Sequence, residues 1–490
     1  MIMKAFNRTA FFACVVLLAG CAVGPDYKRP AATRIPGAYT GATNALTTSV
    51  GATNGWKIAT PQARIPKGDW WGIFGDVELN ELENQASASN QQLKVAVARL
   101  DEARAQMDVT RAGLFPNVSA SGSFVRQRVS PNTPSAITGK PFGTSSTFND
   151  FYVPLSLGYE LDVWGRVRRS VESAGAQAQA SADDLETIRL MIQAEVAVDY
   201  FSLRALDAER AVLDSSVGVF TKSLQLTSNL RAGGAVSDLD VAQAQTVLKT
   251  TEAQLPAVML QRKQFEHALA LLVGQSASTF RVAERALSTA PPLIPPGLPS
   301  ELLERRPDIS SAERSMAAAN ASIGVAKAAF FPTIQLNGLA GLESLNGSTL
   351  FNWSSRLWAV GPSITLPLFE GGRLRAGLRF SQATYEEMVA NYRQSVLTAF
   401  SEVEDGLAAQ TLLANQYAAE SEALVAARKQ LEIVNNQYRD GLITYLEVAT
   451  AESTELNVEF SATQLRGQQL VAAVTLVKAL GGGWQESSAQ

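Results

Sequence analysis

Two acidic positions lie where long helices are expected to begin. Asp240, with Asp238 beside it, follows Gly234-Ala235-Val236-Ser237, and Glu447 follows Gly441-Leu442-Ile443-Thr444. Carboxylates just inside a helix N-terminus are stabilised by its positive end. Facing a common axis in several copies, they would form an acidic ring that attracts cations and repels itself as a passage narrows; the plain alternative is ordinary first-turn acids. Each turn also offers glycine for a left-handed cap and a hydroxyl, Ser237 or Thr444, for the N-cap. No reaction chemistry assembles elsewhere. The single histidine, His267, is set in Phe265-Glu266-His267-Ala268, far from any cysteine. No metal-ligand spacing, nucleophile elbow, phosphate loop or catalytic triad can be drawn, so neither enzyme activity nor a metal is expected. Acid pairs such as Asp183-Asp184 and Glu386-Glu387 read as solvated helix faces.

The elements that position these turns are long. No proline interrupts Arg166 to Ala232 or Leu374 to Asp440, and Ala, Gln, Leu, Glu and Arg dominate both. As helices they would each extend about 100 Å. The chain also repeats itself. Ala112-Gly113-Leu114-Phe115-Pro116 is answered by Ala328-Ala329-Phe330-Phe331-Pro332, and Gly165-Arg166 by Gly372-Arg373. The displacement shortens between these pairs, which places a longer exposed loop at Pro131 to Asp150, rich in Ser, Thr, Pro, Asn and Gly. The plan is a first repeat at 76–290, with strands 117–129 and 151–161 and helices 166–232 and 238–273. A connector at 291–307 leads to a second repeat at 308–480, with strands 333–342 and 357–368 and helices 373–440 and 445–480. A tail occupies 481–490. Pro256 is expected to kink or break the helix that contains it.

Four segments replace the helical period with alternation. Phe151, Val153, Leu155, Leu157, Tyr159 and Leu161 share one face, as do Trp358, Val360, Ile364, Leu366 and Leu368. Thr333 to Leu342 alternates through Ile334, Leu336 and Ala340, whereas Asn117 to Val129 is weaker, with Arg126 and Arg128 on the face of Phe124. Strands of this length, greasy on one face, fit a membrane barrel; a soluble sheet packed on a helix fits the same periodicity.

The N-terminus favours the membrane. Lys4 and Arg8 precede an apolar run, and Leu18-Ala19-Gly20-Cys21 closes it like a lipobox. Residues 1–20 are then a signal peptide, Cys21 carries diacylglycerol and an N-acyl lipid such as palmitate, and Ala22 after it favours the outer membrane. Cys14 leaves with the signal, so no internal disulfide is expected. A formal net charge of -4 gives no reason to expect nucleic acid. Four strands cannot close a barrel, because the smallest spanning barrels use about eight and an open edge in lipid leaves backbone groups unpaired. Several copies must share one, and three would supply twelve strands.

Cys21-Ala22-Val23-Gly24-Pro25-Asp26-Tyr27, the connector Leu298-Pro299-Ser300-Glu301-Leu302-Leu303-Glu304-Arg305-Arg306-Pro307-Asp308-Ile309 and the ending Lys478-Ala479-Leu480-Gly481-Gly482-Gly483-Trp484 closely resemble the lipoprotein branch of outer membrane efflux channels. The resemblance covers essentially the whole mature chain. It implies an α+β membrane protein: a homotrimer with a shared twelve-stranded outer membrane barrel, continued by a periplasmic barrel of long helices. It implies an equatorial region from residues 21–75, the connector and the C-terminus, and a passive exit route served by a periplasmic adaptor and an inner membrane resistance-nodulation-division transporter. The helix tips would close the tunnel and meet the adaptor. Tyr438, Arg439, Asp440, Glu447, Asp240 and Asp238 are the gate and tip positions; Gly234, Val236, Ser237, Gly441, Ile443 and Thr444 are the adaptor contacts. Relatives often carry aspartates a turn apart with a basic partner at the second tip. This sequence departs from that, with Ile443, Glu447, Thr450 and Ser453 at the matched positions, so no second ring or basic latch is carried over. Two other readings are a type I protein-secretion channel and a periplasmic coiled-coil lipoprotein without a barrel.

Overall fold

The computed structural model describes residues 22–30, 39, 68–132, 146–292, 294 and 305–482. The expected signal peptide, Cys21, most of 21–75, part of the expected 131–150 loop, most of the connector and most of the tail lie outside the described residues. In chain order the helices are α1 (Val77–Ser89), α2 (Gln91–Ala112), α3 (Arg166–Ala232), α4 (Asp238–Leu272), α5 (Pro307–Ala328), α6 (Arg373–Arg439) and α7 (Tyr445–Ala479). The strands are β1 (Asn117–Ala120), β2 (Ser123–Val129), β3 (Ser146–Leu161), β4 (Thr333–Ser344) and β5 (Arg356–Thr365). No helix among the described residues is long and apolar enough to cross a membrane. Two compact units divide the chain, and α2, α3, α5 and α6 contribute residues to both.

The first unit holds residues 1–30, 101–180 and 313–391 and contains the sheet. Its order is β1/β2, β3, β4, β5, antiparallel throughout. The expected strand 117–129 is interrupted, although its register is continuous: Ala120 faces Leu155 and Ser123 faces Tyr152. The gap lies opposite Pro154, which has no N–H to donate, while Ser121 N–H still reaches the Pro154 carbonyl at 3.1 Å. Three further strand boundaries differ from the expected ones by two residues or more. β3 begins at Ser146 because residues 146–150 pair with Val125 to Val129, β4 runs on to Ser344, and β5 stops at Thr365, short of Leu368. Residues 22–27 lie along this unit. Val23 N–H donates to the Trp164 carbonyl, Arg169 pairs with Asp26 at 2.8 Å, and the Tyr27 hydroxyl donates to Glu313 at 2.7 Å.

The second unit holds residues 31–100, 181–312 and 392–490. Leu206, Leu213, Phe220, Leu248, Val258 and Leu456 form an apolar cluster among α3, α4 and α7. Pro256 does not break α4: the helix runs through it, with Thr251 and Val258 on either side buried in the packing. Tertiary contact on both sides outweighs the lost donor, which in isolation costs about 3 kcal/mol. A buried ionic network fastens residues 282–285 to the helices. Arg204 holds Glu78 and Asp207, each at 2.6 Å, and the Ala283 carbonyl at 2.7 Å. Arg262 holds Asp207 at 2.5 Å and the Val282 carbonyl at 2.8 Å. Arg306 forks onto Asp308 and reaches Glu402 and the Ala479 carbonyl.

Candidate channel wall and helix tips

Side chains paired across a ladder share a face, so the register sorts the sheet completely. One face carries Val118 and Phe124, then Phe151, Val153, Leu155, Leu157, Tyr159 and Leu161. It continues through Ile334, Leu336, Ala340 and Leu342 to Trp358, Val360 and Ile364. The opposite face carries Ser119, Ser123 and Gln127, then Asp150, Ser156 and Glu160, then Gln335, Asn337 and Glu343, then Ser363 and Thr365, with Val125, Phe148, Tyr152, Leu339 and Leu357 set among them. Asn337 donates across it to Ser363 at 2.8 Å. On the apolar face Trp358, Val360 and Ile364 are exposed on β5, and Val118 and Phe124 on β1/β2. Among the described residues those two edges have no neighbouring strand in the sheet. Helices α2, α3, α5 and α6 all join the sheet at the same end, where Asn117, Leu161, Thr333 and Thr365 lie. In the same unit a concavity of about 930 Å³ is walled by small polar side chains such as Gln106, Ser170, Ser173 and Ser381, with Arg166 and Arg373 among them.

The turns at 233–237 and 440–444 are tight because Gly234 (φ 76) and Gly441 (φ 72) take the left-handed conformation that closes a helix. Ser237 caps α4 in a reciprocal box: Asp240 N–H donates to its hydroxyl, and its own backbone N–H donates to the Asp240 carboxylate at 2.8 Å. The Ser237 hydroxyl itself donates to the Asp240 carboxylate at 2.7 Å, and this bond, with backbone donors, holds the Asp240 carboxyl below its ordinary range. Asp238 is exposed and paired with Arg231 at 2.7 Å. Thr444 occupies the corresponding N-cap, but its hydroxyl donates to Glu447 at 2.6 Å instead of capping the backbone. This bond lowers the Glu447 titration. Arg439, Asp440, Gly234 and Gly441 are exposed, while Val236 and Ile443 are half-buried against the tip cluster.

Tyr438 is not an exposed tip side chain within one chain. It is 7% exposed, packed edge-on to Tyr445 with ring centroids 5.6 Å apart, and its hydroxyl has no hydrogen-bond partner among the described residues. Ala244, Val448 and Ala449 complete this cluster. Beneath it lies a group that sequence reasoning missed. Glu452 is fully buried and accepts from the Tyr445 hydroxyl at 2.9 Å and from the Ser223 hydroxyl at 2.5 Å. Burial raises its titration, against the pull of the two donors. Tyr445 and Glu452 are seven residues apart, a spacing that puts them on one helix face but is shared by many surface pairs. Only Ser223, brought in by α3, marks this pair as special.

The family model for outer membrane efflux proteins matches residues 82–275 and 298–482. The chain is 34% identical over 493 residues to the outer membrane protein OprJ of Pseudomonas aeruginosa, covering 98% of this chain and 97% of that one. It is 33% identical over 478 residues to the probable efflux pump outer membrane protein SepC of Pseudomonas putida, covering 97% and 96%. Among solved structures it superposes on the outer-membrane channel OprN with a TM-score of 0.82 at 30% identity, covering 95% of this chain and 100% of that one. For the outer membrane channel CmeC of Campylobacter jejuni the TM-score is 0.81 at 26% identity, covering 96% of each. The chain belongs to the outer membrane efflux protein family, and the outer membrane is its location.

Proposed function

We propose that three copies of this chain form the outer membrane exit duct of a tripartite efflux pump, passing cargo passively from an inner membrane transporter and a periplasmic adaptor. The observation that carries this is the two-faced sheet. Its apolar face fits the hydrocarbon core and its polar face fits water, while among the described residues each chain ends in two unpaired edges. Eleven residues from Phe151 to Leu161, at about 3.3 Å each and tilted, span roughly the apolar thickness of an outer membrane. Head-to-tail pairing of β5 with β1/β2 between copies closes the ladder at twelve strands. The long helices and their turns would then line and close the periplasmic passage, with Gly234, Val236, Ser237, Gly441, Ile443 and Thr444 as the adaptor surface. No catalytic step or cofactor is needed. Relatives named for toluene and antibiotic efflux support small organic molecules as cargo.

The lipid on Cys21 belongs to the same reading, supported by Val23, bonded to the Trp164 carbonyl at the sheet's helix end. Cys21 precedes Val23 by two residues in the chain. Cys21→Ser is expected to abolish acyl labelling while the trimer still inserts.

Purified protein run unheated and heated on gels, then fused into planar bilayers, tests the duct. A heat-sensitive trimer with ion conductance is expected. A stable single chain that does not conduct favours the periplasmic coiled-coil lipoprotein and overturns the proposal.

A further inference from the structure

Charge is sorted between the two faces of the sheet. The ionised side chains on the polar face, Asp150, Glu160 and Glu343, are all acids. On the apolar face, among the described residues, they are all arginines: Arg126 and Arg128 on β2 and Arg356 on β5. All three are exposed, and all lie at the end of the sheet remote from the helices. They sit just beyond aromatic rings. Phe124 and Phe151 pack with centroids 4.7 Å apart directly inside Arg126, and Arg356 lies over the ring of Trp353 and donates to its carbonyl at 2.7 Å.

An arginine on a lipid-facing stripe is costly in hydrocarbon and favourable only where it meets an anion at the interface. Arg126 and Arg128 point to the same side of one strand about 7 Å apart, close enough to grip neighbouring phosphates with planar forks. They stand on one open edge of the sheet and Arg356 on the other. Edge-to-edge closure, as in the proposed trimer on which this inference rests, gathers the basic groups at each seam.

We propose that Arg126, Arg128 and Arg356 dock the phosphorylated glycolipid of the outer leaflet. Its phosphates lie on the guanidinium groups and its acyl chains on Phe124, Val153, Trp358 and Val360. The acids on the other face keep the same ligand out of the passage by like charge.

The test uses the delipidated full-length trimer in detergent, titrated with diphosphoryl lipid A and followed by native mass spectrometry. The same protein is titrated with fully dephosphorylated lipid A, and with diphosphoryl lipid A in the presence of inorganic phosphate. Wild type is expected to bind the diphosphoryl form at least tenfold tighter than the dephosphorylated form. R126Q/R128Q/R356Q is expected to lose that preference while keeping trimer migration and conductance. Equal binding of the two lipids by wild type overturns the inference, as does an undiminished preference in the triple variant. Competition by inorganic phosphate at equal phosphate concentration also overturns it, in favour of a free-phosphate site. If the triple variant does not assemble, the wild-type comparison and the single variant R356Q decide. A conducting trimer without the preference sinks this inference alone; a chain that never conducts sinks the duct.

Discussion

Gly341 stands opposite Pro154 in the β3–β4 ladder, and a Cβ at position 341 would lie 2.7 Å from the Pro154 Cα. The approach involves backbone atoms that cannot step aside. Gly341→Val is therefore expected to reduce the yield of heat-sensitive trimer by at least tenfold, with Gly341→Ala intermediate. Gly361, whose added Cβ would meet nothing within 4 Å, is the control: Gly361→Ala should assemble like wild type in the same gel assay.

Tyr438 separates packing from hydrogen bonding at the tip. Its ring is buried against Tyr445 and its hydroxyl is unpartnered among the described residues. Tyr438→Ala should remove about 3 kcal/mol of local packing and raise single-channel conductance. Tyr438→Phe should match wild type in conductance and lie within about 0.5 kcal/mol in stability, because no bond is lost. A large effect of the phenylalanine variant would show that the hydroxyl finds a partner in the assembled tip.

Glu452 gives the tip a pH dependence of definite sign. Burial raises its folded titration above the unfolded value, so its contribution is fully present below the unfolded range, near pH 4.3, and is lost as pH rises through the folded value. Amide exchange of residues 445–452 should therefore accelerate on going from pH 4.5 to 8 after correction for intrinsic rates. The change is about tenfold for each unit separating folded and unfolded titrations. Glu452→Gln keeps an acceptor for Ser223 and Tyr445 and should show no such slope.

Arg306 joins Asp308, Glu402 and the Ala479 carbonyl through one guanidinium. Arg306→Ala should cost about 2–3 kcal/mol in denaturant unfolding, at the low end for a buried ion pair because Glu402 is partly solvated. Arg306→Lys should recover less than half, since an ammonium cannot hold a carboxylate bidentately and reach two further acceptors.

What the sequence reveals and conceals follows the range of each interaction. The Ser237 cap and the glycine turns are readable because every participating atom lies within a few residues. The stretch Phe151 to Leu161 is readable because one face is uniformly apolar. Residues 146–150 are not, since Ser, Thr, Asn and Asp become strand only through pairing with β2. The split between β1 and β2 is likewise invisible locally: its cause, Pro154, is on another strand. Pro256 shows the reverse, a strong local signal overridden by packing on both sides. Arg204, Asp207 and Arg262 look like common helix-surface charges, and become a buried network only when residues 282–285 fold over them. For Glu452, nothing near it in sequence announces that Ser223, on another helix, will supply its second donor.

Because β5 and β1/β2 are unlike edges, every copy in a closed ring both offers and receives a seam, and none can be bypassed. A cell expressing intact and edge-damaged versions together would keep functional rings only in proportion to the cube of the intact share. Lesions that block pairing along these two edges should accordingly behave as genetically dominant, unlike lesions that stop the chain from folding before it meets its fellows.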